Sequence, residues 1–289
     1  MKNLDVDTGK LVEEIETLSR EKPEYSDLLA LQRDILLCQR EIKGKIQTGD
    51  IRPNRTELAQ CVSDGVVFLK RIKVSPDLEA AVRLFKMLMS AMRKHSGEID
   101  TQIALIEQSW ASGNLDVRKM LSAAFEGEST QKIKEEGESA GVDVELLSLL
   151  LYNSIKPNLE RCSEVLLPYA DLAMWLRPEC PVCGHSPSLS ELQGEEGKRI
   201  LLCSMCTTGW RYPRVKCAFC GNEEQESLRI LFPAGGSGAF RADVCEKCKR
   251  YLKTVDSRKM DKKISPDLYD CLTIDMDLLA QREGYTRGA

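Results

Sequence analysis

Eight of the twelve cysteines in this 289-residue chain occur as four Cys-x-x-Cys pairs in one part of the sequence. The pairs are Cys180/Cys183, Cys203/Cys206, Cys217/Cys220 and Cys245/Cys248. A divalent ion such as zinc binds four thiolates at tetrahedral angles, and each Cys-x-x-Cys turn supplies two of them. Two turns complete one site. The four pairs therefore predict two metal ions, each held by four cysteines.

The spacing between the pairs favours sequential grouping. Nineteen residues separate the first two pairs, as in zinc ribbons, and 24 separate the last two, where the flexible "PAGGSGAF" lengthens the chain. The ten residues 207–216 then connect the two sites. Closing independent hairpins costs less chain entropy than closing the longer loops of interleaved ones, so we predict sequential pairing. An interleaved arrangement stays open on the sequence alone.

The residues around the pairs are typical of the metal-binding knuckles of rubredoxins and zinc ribbons. "CPVCG" and "CAFCG" place a glycine directly behind the second thiol, where the chain must often turn through positive φ. A thioredoxin-like redox pair needs a βαβ context and a thiol at a helix N-terminus, and none of the pairs has these. The chain has two histidines and no convergent Ser/His/Asp or paired-carboxylate pattern, which predicts that it is not an enzyme.

The composition bears on the compartment. The first 27 residues are charged throughout and do not resemble a signal peptide, and no apolar run approaches the ~18 residues of a membrane span. We therefore expect a cytoplasmic protein without membrane insertion. In the reducing cytosol, clustered cysteines favour metal ligation over disulfides. The isolated cysteines, which are Cys38, Cys61, Cys162 and Cys271, are expected to be small buried hydrophobes.

The elements that position the pairs follow from hydrophobic periodicity. Up to about Trp175 apolar residues recur at helical spacing, whereas "KRILLCSMC", "RILF" and "FRADVC" are short β-prone runs. Ser265 and Pro266 begin a helix that Gly284 ends. The predicted class is α+β: an N-terminal all-α domain, two small rubredoxin-like or zinc-ribbon β modules and a C-terminal helix. The predicted boundaries are 1–174, 175–215, 216–254 and 255–289.

Three helix boundaries are predicted within the N-terminal part. Ser75, as N-cap before Pro76 and Asp77, begins a helix that Gly97 ends. A strongly apolar helix ends at Pro157 and another begins there. The polar stretch "EGESTQKIKEEGESAG" is either a loop or a weak helix.

Charge decides what the modules can bind. The chain has 41 basic and 45 acidic residues, and two divalent ions held by eight thiolates add further negative charge. A net acidic chain is a poor general binder of polyanions, so nucleic acid is not the expected partner. Two local clusters, in "WRYPRVK" and "KCKRYLK", could form a basic docking patch. The residues predicted to contact a partner are Trp210, Arg211, Arg214, Lys249, Arg250 and Tyr251.

The motifs together resemble one family. "CPVCG", "LLCSMCTTGWRYPRVKCAFCG", "ADVCEKCKRYLK" and the closing "PDLYDCLTIDMDLLAQREGYTR" are similar to formate dehydrogenase accessory proteins of the FdhE type. The resemblance covers roughly residues 175–287 and includes order, spacing and the residues between the pairs. The glycine-rich "PAGGSGAF" is looser than the family pattern, and this bears on the shape of the second module.

The resemblance implies a non-enzymatic factor needed to make respiratory formate dehydrogenase active. It implies binding to the catalytic subunit of that enzyme, which contains molybdenum or tungsten, and it associates iron with the two modules. The ligand set alone accepts iron or zinc, so the metal stays open. Two alternatives from other classes also stay open: a nucleic-acid-binding zinc-ribbon protein and a rubredoxin-like electron carrier.

Overall fold

The computed structural model describes residues 8–47, 49, 51–127, 130–233, 238–260 and 262–288. Two compact units are found in the chain, one within Met1–Ile51 and Val74–Cys162, the other within Arg52–Lys73 and Ser163–Ala289. Residues 52–73, which the sequence prediction assigned to the helical domain 1–174, therefore lie in the same unit as the cysteine pairs. None of the helices in the described ranges has the length and apolar character of a membrane span.

The first unit is helical. Its helices are α1 (Thr8–Glu21), α2 (Ser26–Lys43), α5 (Leu78–Met92), α6 (Gly97–Ala111), α7 (Val117–Glu126), α8 (Thr130–Ala140) and α9 (Val144–Leu166), the last of which extends beyond the unit's boundary. Helix α5 packs against α2, α6 and α7. Its Leu84, Phe85 and Leu88 are completely buried, since apolar residues three and four positions apart share one helix face. The polar stretch before α9 forms a helix, α8, rather than a loop.

Helix α5 begins two residues later than the sequence predicts. Asp77, not Ser75, is the N-cap, because its side chain accepts a hydrogen bond from the amide of Ala80 at 3.0 Å. Two tertiary contacts hold Asp77 in place: the Gln47 amide donates to its carboxylate, and its own amide donates to the side chain of Asn158. Local capping rules rank serine and aspartate alike, so these distant contacts decide between them.

The prediction that Gly97 ends helix α5 is wrong. The helix stops at Met92, and Gly97 is the first residue of α6, whose N-cap is Ser96. The Ser96 hydroxyl accepts a hydrogen bond from the amide of Ile99 at 3.1 Å. A glycine next to a serine is compatible with either a helix end or a helix start, and here the serine cap decides.

The prediction of two helices meeting at Pro157 is also wrong, since α9 runs through the proline without a break. Proline has no amide hydrogen, so the carbonyl of Asn153, four residues earlier, loses its helical donor. The side chain of Gln39 donates to this carbonyl at 2.9 Å and to the Asn153 side chain at 3.0 Å. A tertiary hydrogen bond thus replaces the one that proline removes.

The second unit contains the cysteine pairs. Its helices are α3 (Arg55–Asp64), α4 (Phe68–Arg71), α10 (Tyr269–Leu272) and α11 (Ile274–Arg282). Its strands are β1 (Pro187–Gln193), β2 (Lys198–Cys203), β3 (Gly209–Arg211), β4 (Leu228–Leu231), β5 (Phe240–Cys245), β6 (Arg250–Asp256) and β7 (Thr286–Arg287). Strands β2, β4 and β5 confirm the three β-prone runs. Residues 234–237, within "PAGGSGAF", lie outside the described residues.

Among these residues the strands form one continuous sheet, in the order β3-β2-β1-β6-β5-β4, with β7 also paired to β6. The central contact is parallel: Leu189 on β1 lies opposite Lys253 on β6, and Leu192 lies opposite Asp256. The sequence predicted two separate small modules. Their hairpins are instead joined edge to edge, because backbone groups on the inner strands β1 and β6 pair with each other rather than with water.

The C-terminal helices cover one face of this sheet. Met276 and Ala280 of α11 pack on Ala242, Val244 and Tyr251 of β5 and β6 in a fully buried cluster. The chain leaves α11 at Gly284, whose φ of +84° is accessible to glycine at little cost, and returns as β7 beside β6. The helix end predicted at Gly284 is confirmed, but the single helix predicted from Ser265 is divided into a short 3-10 turn (Pro266–Leu268), α10 and α11.

Candidate metal centres

The eight cysteines form two groups of four, each with its sulfur atoms within 4.8 Å of one another. The first group is Cys180, Cys183, Cys203 and Cys206, and the second is Cys217, Cys220, Cys245 and Cys248. The grouping is the sequential one that the spacing favours. The four isolated cysteines take no part in either group.

The sulfur spacing fits a tetrahedral ion. In the first group the Sγ atoms of Cys180 and Cys206 are 3.4 Å apart, as are those of Cys183 and Cys203. In the second group the Cys217–Cys248 and Cys220–Cys245 distances are both 3.7 Å. Four sulfurs at ~2.3 Å from a central ion lie about 3.8 Å from each other. Each group therefore has the donor type, number and size for one thiophilic ion.

The backbone of each knuckle is shaped to present its sulfurs. In the first, the Gly184 amide donates to the Cys180 carbonyl and the Cys180 amide to the His185 carbonyl. The third knuckle repeats this pattern, with Gly221 donating to Cys217 and Cys217 to Asn222. The repeated pattern closes the same tight turn around both Cys-x-x-Cys pairs.

All four knuckles place the residue behind the second thiol at positive φ. Gly184 and Gly221 have φ of +81° and +72°, which confirms the predicted role of these glycines. The other two knuckles carry Thr207 at +57° and Lys249 at +55°. For a residue with a side chain this backbone conformation costs roughly 1–2 kcal/mol. The geometry of the knuckle, and not the preference of the residue, therefore produces the turn. The sequence carries no sign of it at Thr207 and Lys249.

The thiols of the first group differ in their tendency to ionise. Burial acts against ionisation of Cys203, but hydrogen bonds from the neighbouring thiols and the Cys206 amide hold its pKa well below the ordinary value. Burial and the neighbouring thiols raise the pKa of Cys183 and of Cys206. Four adjacent thiolates therefore require a cation among them, which is the expected behaviour of a metal site.

The second group shows the same contrast. Burial opposes ionisation of Cys245, yet the amides of Cys248 and Lys247 lower the pKa of its thiol to about 7. Burial raises the pKa of Cys248. The two groups differ in access to solvent: every cysteine of the first is buried, whereas Cys220 is exposed and Cys248 is half-buried.

The first centre is supported by residues far away in sequence. The amides of Phe68 and Leu69, at the start of α4, donate to the carbonyls of Pro181 and Val182 inside the first knuckle, at 2.8 and 3.1 Å. Thr208 contacts the Cys206 sulfur at 3.0 Å. Sequence reasoning missed α4 as a support, because nothing in "FLKR" marks it as a partner of a knuckle about 110 residues later.

Two of the six residues predicted to contact a partner are buried. Trp210 is 2% exposed and its indole N–H donates to the carbonyl of Arg177, while Tyr251 is 1% exposed and donates to Asp277. They belong to the core of the sheet, and their side chains offer no contact surface. Trp210 alternates with exposed neighbours along β3, since neighbours in a strand point to opposite faces, whereas β6 is an inner strand that is buried from Tyr251 to Asp256. Arg211, Arg214, Lys249 and Arg250 are exposed.

Similarity to known proteins extends over both parts of the chain. The family described as "FdhE, central domain" matches residues 179–214, and "FdhE, C-terminal domain" matches residues 215–289. A protein described as an FdhE homolog from Aquifex aeolicus is 27% identical over 281 residues, covering 94% of this chain and 90% of that protein. FdhE of Escherichia coli is 34% identical over 115 residues, covering 39% of this chain and 36% of its own length.

A solved structure has a similar fold. The crystal structure of the FdhE protein from Pseudomonas aeruginosa superposes with a TM-score of 0.61, covering 97% of this chain and 93% of that one. The two sequences are 19% identical, so this likeness concerns the fold. It confirms the predicted architecture of an N-terminal helical part followed by a small sheet with the cysteine pairs and a C-terminal helix.

Proposed function

We propose that this chain, whose residues 179–289 match the central and C-terminal domains of the FdhE family, is a maturation factor for formate dehydrogenase. It binds the catalytic subunit of a molybdenum- or tungsten-containing formate dehydrogenase and is required for that enzyme to become active. The observation that carries the proposal is that both matched domains coincide with a complete four-cysteine group.

The role is recognition rather than catalysis. A catalytic metal site keeps one coordination position for water or substrate, whereas a structural site is closed by four protein ligands. Each group here supplies all four ligands. The cysteines therefore hold the two halves of the sheet, and the surface around them makes the functional contacts. The cytoplasm is the proposed compartment, because its reducing conditions keep these thiols available to metal.

Each group binds one ion of iron or zinc. Thiolate ligands in tetrahedral geometry accept both, and the choice is settled by the composition of the protein purified without oxygen. Elemental analysis and an absorption spectrum distinguish the two. Visible thiolate-to-iron charge-transfer bands with two iron atoms per chain identify iron, and a colourless protein with two zinc atoms identifies zinc.

The proposed contact surface consists of the four exposed basic residues from the predicted set: Arg211, Arg214, Lys249 and Arg250. These residues flank the two centres in sequence, and they complement an acidic surface on the partner. Exposed charges act chiefly on the rate of encounter and on partner choice, so binding through them is weakened by salt.

The test is co-purification with the formate dehydrogenase catalytic subunit from the same organism, under reducing and anaerobic conditions. We expect recovery of the subunit with the unaltered chain and a reduced yield with the double variant Arg211→Glu/Lys249→Glu. The matched control is Arg118→Glu/Lys119→Glu, on exposed residues of α7 in the other unit. Failure of the unaltered, metal-loaded chain to retain the subunit would overturn the proposal.

The partly exposed second centre favours one further candidate, a rubredoxin-like electron carrier. Electron transfer benefits from a metal centre near the surface, and Cys220 is exposed. This function requires iron with a reversible reduction potential. Voltammetry of the purified protein tests it, and two zinc ions per chain would end it.

A further inference from the structure

A cleft of about 270 Å³ lies on the second unit beside the second cysteine group. Its lining includes Cys217 and Cys245 and a concentration of basic side chains. These are Arg199, Arg214, Lys216, Arg229, Arg241 and Arg250. Asp243 is the one carboxylate among the described residues of the lining. Two of these residues, Arg214 and Arg250, also belong to the proposed contact surface, but binding a protein partner through exposed charges does not require a cleft.

The floor of the cleft contains a buried arginine with unused hydrogen-bonding capacity. Arg199 is 4% exposed, and one terminal nitrogen donates to the carbonyls of Pro213 and Lys216 at 3.4 and 2.9 Å. Its Nε is buried and has no hydrogen-bond partner among the described residues. An unsatisfied buried donor, particularly on a charged group, is costly, and proteins retain few of them.

A second arginine shares the carboxylate of the floor. Arg241 Nε lies 2.9 Å from Asp243 Oδ1, but the two atoms are not aligned for a hydrogen bond, and in the described structure neither has another partner. Asp243 also faces Arg199, with 3.7 Å between its Oδ2 and a terminal nitrogen of the arginine, and accepts a hydrogen bond from Thr254. One carboxylate thus faces two guanidinium groups, leaving a positive charge unbalanced.

The rim adds further positive charge. Lys216 and Arg229 are paired with Glu223 and Glu246, which lie outside the lining. No ion pair to a carboxylate is found for Arg214 or Arg250 within the described ranges. A divalent ion with four thiolates carries two negative charges, which offset two of the three unbalanced cations. The cleft therefore stays positive even with its neighbouring centre filled.

The walls are apolar. Phe219 carries Arg250 above its ring at 6.0 Å, and Val215 and Ile230 are 48% and 46% exposed at the edge. A ligand that satisfies both floor and walls combines an anionic group with an apolar portion, at a size that fits a small molecule.

We propose that this cleft binds a small phosphorylated molecule, with its phosphate on the Arg199 and Arg241 floor and its apolar portion against Phe219. A phosphate offers several oxygens and up to two negative charges to guanidinium groups that approach from different sides. Arginine forms bidentate hydrogen bonds with such a group. A single carboxylate, such as an acidic peptide side chain, satisfies fewer of these donors. The cleft shares Arg214 and Arg250 with the proposed contact surface, but binding of a phosphate and binding of the formate dehydrogenase subunit are separate functions, each measured by its own assay.

Isothermal titration of the full metal-loaded chain with phenyl phosphate tests the proposal. We expect one site per chain, weaker binding at higher salt, and tighter binding than that of benzoate or inorganic phosphate. Binding should fall about fivefold in Arg214→Ala and in Arg250→Ala, and at least tenfold in Arg199→Lys, which keeps a charge but loses the fork of donors. Arg211→Ala, on an exposed arginine outside the cleft, is the matched control and should bind normally.

Variants are accepted only with unchanged metal content and circular dichroism, so that loss of binding is not loss of fold. If Arg199→Lys does not fold, Arg214→Ala and Arg250→Ala still test the proposal. Absence of phenyl phosphate binding at millimolar concentration overturns the proposal, as does binding that Arg214→Ala and Arg250→Ala leave unchanged. Benzoate or an acidic peptide binding as tightly as phenyl phosphate would assign the cleft to carboxylates instead.

Discussion

Lys253 on β6 places its ammonium group 2.7 Å from the carboxylate of Asp277 on α11, with the lysine side chain completely buried. The same ammonium contacts the carboxylate of Asp270 on α10 at 2.5 Å. These contacts connect the knuckle-following "YLK" to the closing "PDLYDCLTIDMD", two motifs that carried the family resemblance. The two motifs together form a buried ion pair that holds the C-terminal helices against the sheet.

Replacing Lys253 by methionine should destabilise the chain strongly. Asp277 is 14% exposed and would lose its cation inside the protein, and such one-sided removal typically costs about 3–5 kcal/mol. Urea unfolding measures the change in free energy. The matched control is Lys247→Met, because that lysine is half-exposed and pairs with Glu224 at the surface, where about 1 kcal/mol or less is expected. Similar losses in the two variants would contradict this account.

Tyr251 predicts an alkaline dependence of stability. Burial, together with its hydrogen bond to Asp277, raises the pKa of this phenol from 10 to about 12. The folded state therefore holds the phenol proton more tightly than the unfolded state does. The contribution of Tyr251 to the free energy of unfolding is complete below pH 10 and is lost as the pH rises towards 12. In Tyr251→Phe we expect a loss of about 1–2 kcal/mol at about pH 8.

The gap in unfolding free energy between the unaltered chain and Tyr251→Phe should narrow as the pH rises from about 10 to about 11.5. Tyr212 and Tyr285 also have phenol pKa values raised to about 12, but both are present in each protein and cancel in the comparison. A gap that stays constant over this interval would show that Tyr251 does not titrate late.

The grouping of the cysteines predicts metal stoichiometry. Cys180→Ala/Cys203→Ala removes two ligands from one group and should leave one ion per chain, whereas Cys180→Ala/Cys217→Ala damages both groups and should leave none. Elemental analysis after gel filtration measures the ratio. Interleaved sites would produce the reverse result. Cys38→Ala, outside both groups, should retain two ions.

The different burial of the two groups predicts different rates of metal release. A chelator whose metal complex is followed by absorbance, added in excess, should remove the ion of the second group first. In that group Cys220 is exposed and Cys248 is half-buried. The slow phase should disappear in Cys180→Ala and the fast phase in Cys217→Ala. Loss of the opposite phases would show that burial of the ligands does not control release.

Gly184, which follows the second thiol of the first knuckle, is predicted to tolerate substitution poorly. Gly184→Ala places a side chain at φ +81° and brings its Cβ to 3.4 Å from Val67, so we expect a loss of about 1–2 kcal/mol and weaker retention of the first ion. Gly44→Ala is the matched control, because Gly44 has φ of −66° and open space around it. Equal stability of the two variants would remove the conformational argument.

The residues of the two candidate centres could be predicted from local sequence patterns. Four Cys-x-x-Cys pairs, their spacing and the glycines at 184 and 221 predicted two sequential four-thiol groups, because the geometry of a knuckle depends on about five or six adjacent residues. Helix periodicity and β-prone runs likewise predicted the order of helical and strand regions, since both are local patterns.

Features that depend on contacts between residues distant in the chain could not be predicted in this way. The side chain of Gln39 lets α9 continue through Pro157, and Asn158 and Gln47 select Asp77 as a helix cap. The parallel pairing of β1 with β6 joins two modules that spacing alone describes as separate. Trp210 and Tyr251 are buried in the unit that this sheet forms. Strand pairing and burial arise between residues tens of positions apart. The residues around one position do not show which strand edge will pair with it or which carbonyl it will contact.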